Sequence, residues 1–244
     1  AGAYAGWFTY TRTNSYVFGI LSALVVVFVI GIVVERVLIR HYYARPKEDQ
    51  ILVTFGLGIV LVETVRALFS GQTKLVPTPD WAMGAVQIAD LVYPQYRIDV
   101  VGIVALTLLI VWVIIFKTRL GLIVRAGIDD SLIVEMLGID IGRAFMLVFA
   151  LGAAVAGLAG FVDAPILAVN PDMGTSVLVQ SFVVIVIGGV GSFGGAIVGG
   201  LVAGEIVSLT SVFAPDWAQA ALYIAMALVL ILRPQGLLGV VGRS

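Results

Sequence analysis

Apolar residues in this chain do not alternate with polar ones. They run on in long stretches, separated by short charged or turn-forming breaks, at residues 17–34, 51–69, 100–116, 144–162, 177–189, 196–213 and 217–232. A helix needs ~20 apolar residues to cross the hydrocarbon core of a bilayer, so the pattern predicts about seven membrane-spanning helices. Barrel strands would be ~10 residues long with strict alternation, which is absent. The fifth stretch is the shortest and ends in glycines, so it is expected to be broken or re-entrant. The expected fold class is an all-α polytopic transmembrane helix bundle, with residues 1–244 forming one transmembrane domain.

Composition narrows the function. Of the residues, 61% are apolar and only 12% charged, about half the charge of an ordinary soluble domain. A net charge of −1 offers no basic surplus for nucleic acid. With no Cys and one His, the chain has no disulfide framework, thiolate metal site or Cys nucleophile. No metal site and no catalytic residue are expected.

Lys and Arg are divided unevenly between alternate loops. After the first, third and seventh stretches come Arg36, Arg40, Arg45, Lys47, Lys117, Arg119, Arg125, Arg143, Arg233 and Arg243, against only Arg12, Lys74 and Arg97 on the opposite side. The excess marks cytoplasmic loops, which puts the C-terminus inside and loop 71–99 outside. That outer loop mixes Asp80, Asp90 and Asp99 with Trp81, Tyr93 and Tyr96, as expected of a membrane–water interface. His41, beside Tyr42 and Arg45, is expected to face lipid headgroups.

Several features bear on chemistry. Residues 181–194 contain a GxGxxG spacing at Gly189, Gly191 and Gly194. A dinucleotide site would require βαβ units around it, which a chain of apolar helices does not supply. Gly191, Gly195 and Gly199 recur every four residues, as do Gly200 and Gly204, and Gly152, Ala156 and Gly160 repeat the pattern earlier. Such stripes predict close helix packing in lipid. Glu63 and Arg66 share a helix face and are expected to pair, and Asp163 and Glu205 are further acids in or near the spans. A polar solute path is expected to draw on Glu63, Asn170, Asp172, Glu205 and the helix break at Gly188, Gly189 and Gly191, with Asn170, Pro171, Asp172, Met173 and Gly174 forming an outer turn.

The largest inner loop, 117–143, predicts a short amphipathic helix. Asp129 or Asp130 caps it, Leu132, Ile133, Met136 and Leu137 form one apolar stripe with Glu135 off it, and Gly138 stops it. The stripe is available for a lipid surface or a partner's groove. No G-x-x-x-x-G-K-[ST] loop is present, so ATP-driven work requires another subunit.

The stretches TRLGLIVRAGIDDSLIVEMLGID, FALGAAVAGLAG, NPDMG, VIVIGGVGSFGGAIVGG and ILRPQGLLG, with VVERVLIRHYY upstream, resemble the permeases of branched-chain amino acid ABC importers. Permeases for urea and short amides are close relatives of that family. The resemblance implies a prokaryotic inner-membrane protein that pairs with a second, homologous permease. It also implies two cytoplasmic ATPase subunits, an external solute-binding protein, and ATP bound on partner chains with no cofactor on this one. Segment 125–138 is similar to the family's ATPase-coupling helix, with Arg125, Ala126, Leu137, Gly138 and Ile139 matching directly. Val134 and Glu135 depart from the family's small-then-basic pattern, so the likeness carries the docking and not particular charge contacts. Members usually have a helix ahead of a Gly-Ala-Tyr, which here is Gly2-Ala3-Tyr4, so an N-terminal truncation is expected. The rival expectation is a secondary carrier or channel in which Glu205, Asp163 or the Glu63/Arg66 pair couples transport to an ion gradient. A carrier has no need of an amphipathic helix near residues 130–137.

Overall fold

The computed structural model describes residues 1–43, 45–88 and 91–239. Asp90 and Arg243, counted above, lie outside the described residues. The chain forms two compact units, Ala1–Pro171 and a second beginning at Asp172.

The first unit is built on α1 (Gly2–Thr13), α2 (Tyr16–Val37) and α7 (Ile141–Val162). α2 and α7 run antiparallel and in close contact because small residues face each other. A Cβ on Gly157 would lie 2.7 Å from Val27, and one on Gly31 would lie 2.9 Å from the Ala150 backbone. At the far end the fully buried ring of Phe161 occupies space left by Gly6 and Gly19, and Tyr16 stacks on it at 4.9 Å. Two further long helices, α3 (Lys47–Phe69) and α4 (Gln95–Lys117), touch this trio sparingly, α3 through Phe69 against Tyr4, Trp7 and Phe8 of α1 and α4 through Tyr96. Of the residues described in these two helices, only Tyr96 is buried. Two short helices, α5 (Arg119–Asp129) and α6 (Ser131–Met136), join α4 to α7, and α8 (Ala164–Leu167) follows α7. The outer loop contributes an antiparallel hairpin, β1 (Ala85–Ile88) with β2 (Leu91–Pro94), which the apolar pattern did not foreshadow.

The second unit packs α9 (Met173–Gly188), α10 (Phe193–Phe213) and α11 (Ala218–Leu232) around Val183, Ile187, Ala203 and Leu222. Among the described residues six helices are long and apolar enough to cross a membrane, and α9, at 16 residues, is a shorter seventh. Each predicted span coincides with one of these helices, and most begin several residues late. α4, for example, starts at Gln95 and takes in Asp99, because backbone hydrogen bonding continues through polar residues that end a hydropathy window. Tyr96, expected on an outer loop, is therefore a buried helical residue.

Candidate functional site

The α5–α6 connector is fixed by caps. The Asp130 carboxylate accepts from the Leu132 and Ile133 N–H groups at 3.0 and 3.1 Å, so of the two candidate aspartates it is Asp130 that starts α6. Gly138, at φ +78°, ends the segment, and Asp140 caps α7 by accepting from the Arg143 N–H at 3.0 Å. α5 lies hard against α4, since a Cβ on Gly121 would collide with the Ile115 carbonyl, and Gly127 rests on Ile141 and Phe145. Arg125 is tied inward, donating to the Ile115 carbonyl with its guanidinium 5.4 Å from the Phe116 ring. Val134 is the buried residue of α6. Its stripe faces outward, with Leu132 65%, Ile133 56%, Met136 80% and Leu137 72% exposed. Ala126, Asp129, Glu135 and Gly138 are also exposed, and Ile139 is partly covered.

The helix-packing glycines behave unequally. Gly195 and Gly199 face α9 so closely that a Cβ would come within 2.4 Å of the Gly188 and Val184 carbonyls. Gly200 makes an ordinary contact with Val184, and a Cβ on Gly204 would meet open space. Gly191, at φ +84°, belongs to the turn before α10 and not to its face, because Ser192 caps that helix on the Gly195 N–H at 3.0 Å. The stripe predicted over Gly152, Ala156 and Gly160 is displaced. The close seam of α7 runs over Ala150, Ala154, Gly157 and Phe161, while Gly152 and Ala156 are exposed within this chain and Gly160 only brushes Ala3. Several parallel small-residue stripes coexist on α7, and spacing alone does not say which one meets a neighbour.

The helix break expected to line a solute path is a closed joint. The Leu237 and Leu238 N–H groups donate to the Ile187 and Gly188 carbonyls, both at 2.9 Å, so the tail after α11 caps the end of α9. Gly236, at φ +80°, has no room for a side chain, since a Cβ there would come 2.4 Å from the Gly189 backbone, and a Cβ on Gly189 would in turn meet the Gly239 backbone at 2.4 Å. Gly188 and Gly189 are buried there, and their carbonyl edge is already used.

The remaining path candidates are distributed between the units. In the first, Glu63 and Arg66 form an exposed pair at 2.7 Å on α3, and Asn170 is partly buried. In the second, Asp172 is exposed at the start of α9, and Glu205 is exposed near the middle of α10. A mid-span carboxylate facing hydrocarbon is costly, so the Glu205 face calls for protein or water against it.

Two clusters escaped the sequence reading. Among the described residues Glu35 is the buried charged one, and it accepts from the Tyr43 hydroxyl at 3.2 Å. Burial, then the Glu35 charge, pushes the Tyr43 phenol up to about 12. At the other end of the α2–α7 pair, Tyr16 donates to Tyr96 at 2.6 Å, and Tyr96 donates to the Val162 carbonyl at 2.5 Å. Burial raises the carboxyl pKa of neighbouring Asp163. The only sequence signal was a polar atom at the edge of each apolar run, which hydropathy reads as a boundary. Among the described residues no group of three or more His, Asp or Glu is placed to hold a metal ion.

Residues 1–232 match the family model described as branched-chain amino acid transport system / permease component. The chain is 28% identical to the high-affinity branched-chain amino acid transport system permease protein LivH of Salmonella typhimurium, over 91% of this chain and 73% of that protein. It is 26% identical to the corresponding protein BraD of Pseudomonas aeruginosa, over 89% and 73%. Against the probable branched-chain amino acid transport permease protein LivH of Methanocaldococcus jannaschii the identity is 23%, over 95% and 81%. No solved structure matches significantly.

Proposed function

The chain belongs to the family of branched-chain amino acid transport system permease components, and on that premise we propose that it is the membrane-spanning subunit of an ATP-driven importer. Branched-chain amino acids or related small polar solutes are its cargo. It is a transport subunit and not an enzyme, as its relatives are. In this reading a second, homologous permease completes the path, an external binding protein delivers the solute, and two cytoplasmic ATPase subunits bind the ATP while this chain binds no cofactor. The Lys and Arg excess puts α5, α6 and the C-terminus on the cytoplasmic side.

One observation carries the reading. α6 turns four large apolar side chains outward from a segment anchored by Asp130, Val134 and α5. A short helix held rigidly and exposing an apolar face suits a groove on a partner. Through α5, closure of that partner would push on the ends of α4 and α7, which α5 contacts at Gly121 and Gly127. Arg125 then serves by holding the connector to α4, and Leu132, Ile133, Met136 and Leu137 make the docking contact. Glu205 supports a polar lining on α10.

The test is co-purification of the permease with candidate ATPase subunits from the same genome. Wild type is expected to hold them and Leu137→Asp to lose them, with the permease itself still folded. Wild type that binds no ATPase, yet moves solute in proteoliposomes under an ion gradient alone, would replace this reading with that of a carrier, and Glu205→Gln would then abolish transport.

A further inference from the structure

The end of α2 with the turn that follows it, and the start of α7, carry the arginine excess and border an open cavity of about 310 Å3, lined by Arg36, Arg40, Asp140, Gly142, Arg143 and Met146. Three guanidiniums against one carboxylate leave two positive charges in excess there. Arg143 is paired with Asp140 at 2.8 Å. Arg36 and Arg40 have no carboxylate partner among the described residues. The nearest acid in sequence, Glu35, is buried in the core with the Tyr43 hydroxyl and does not line the cavity. Arg40 lies over the first turn of α7, where a Cβ on Gly142 would come 3.2 Å from its Nη2. The start of this 22-residue helix adds its own positive field.

Depth identifies what such a cavity would meet. From Tyr16 to Arg36 along α2, and from Val162 back to Gly142 along α7, is about twenty residues, or ~30 Å of helix. That is one hydrocarbon thickness. The opposite ends of both helices are joined by the Tyr16, Tyr96 and Val162 hydrogen bonds, the kind of amphipathic contact found at an interface. The arginine cavity therefore sits at the headgroup level of the other leaflet, with Met146 one turn deeper as an apolar wall.

We infer that this cavity binds the phosphate of an anionic phospholipid headgroup, held by Arg36 and Arg40, with the start of an acyl chain against Met146. Arginine matches phosphate oxygens with two parallel donors, and an unpaired pair of arginines beside an apolar wall suits a lipid better than a freely soluble anion. A bound lipid would clamp α2 to α7 beside Asp140, where the α5–α6 connector ends. The inference rests on the membrane-spanning fold alone and is independent of how transport is powered.

Native mass spectrometry of the full-length permease in neutral detergent tests it, with phosphatidylglycerol and phosphatidylcholine as probes. Wild type is expected to retain phosphatidylglycerol preferentially, and the Arg36→Gln/Arg40→Gln variant to bind it roughly 30-fold more weakly. Arg97→Gln, at the other end of the bundle, should bind as wild type does. Gly142→Leu keeps every arginine but fills the cavity, and it too should lose the lipid, which keeps the test open if the double variant does not fold. Unchanged phosphatidylglycerol binding in both cavity variants overturns the proposal. So does displacement of the lipid by millimolar inorganic phosphate, which would make the site one for a soluble anion. Loss of a bound protein subunit from the arginine variants with lipid retention intact would assign the arginines to a protein acid instead.

Discussion

Tyr96 shows how one residue takes on a role that hydropathy cannot give it. Its hydroxyl donates to the Val162 carbonyl, one of the last carbonyls of α7 and without a helical partner, and accepts from Tyr16, so a single oxygen joins α2, α4 and α7. Removing that oxygen leaves a buried carbonyl and a buried phenol unsatisfied, whereas removing Tyr16's leaves the bond to Val162 in place. Tyr96→Phe is therefore expected to lower unfolding stability in detergent by ~1–3 kcal/mol and Tyr16→Phe by only ~0.5–1.5 kcal/mol, read from thermal or denaturant unfolding of the purified protein. Equal losses from the two would show that the relay is not ordered in this direction. Glu35 follows the same logic: its charge sits in the core because Tyr43, eight residues on in the chain, returns to donate to it.

At the scale of elements, the backbones approach closest where glycines remove a Cβ. Gly157 and Gly199 have no space for one, and Gly152 has open space. Gly157→Leu and Gly199→Leu are expected to overpack their seams, at a cost of 1–3 kcal/mol or more, roughly the range for inserting methylenes into a packed core. Gly152→Leu should leave the fold of the isolated chain intact and lose function only if a partner covers that face. Circular dichroism and yield in detergent separate the three variants. The caps were partly legible: Asp129 or Asp130 read as the start of α6 from residue type and position, whereas Asp140, which caps α7, was not singled out because the apolar run begins only at Ala144. The meeting of the two most distinctive glycine motifs was not, because the tail at Leu237 and Leu238 lies about fifty residues from the carbonyls it caps.

At the scale of the whole molecule, the number of crossings decides which side the C-terminus faces. α9 has 16 residues, ~24 Å of helix against a hydrocarbon core of ~30 Å, and a re-entrant α9 would reverse everything after it. Arg233 and Arg243 favour a full crossing, since they then join the arginine-rich side. The chain has no Cys, so single cysteines at Leu137, Trp81 and Ser244 label on a clean background. Leu137 and Ser244 are expected to react with a membrane-impermeant maleimide only from the cytoplasmic side, and Trp81 only from outside. Labelling of Ser244 together with Trp81 would make α9 re-entrant. The sequence by itself determined the class, the number and order of the apolar spanning helices to within the short α9, the orientation bias and the capped amphipathic connector, because hydropathy, charge asymmetry and caps are local properties. Only the tertiary structure decided which of several small-residue stripes is a seam, that the glycine break is a closed joint, and that Arg36, Arg40 and Arg143 share a cavity. Those facts depend on which helix lies opposite which, and no period along a single helix encodes its neighbour.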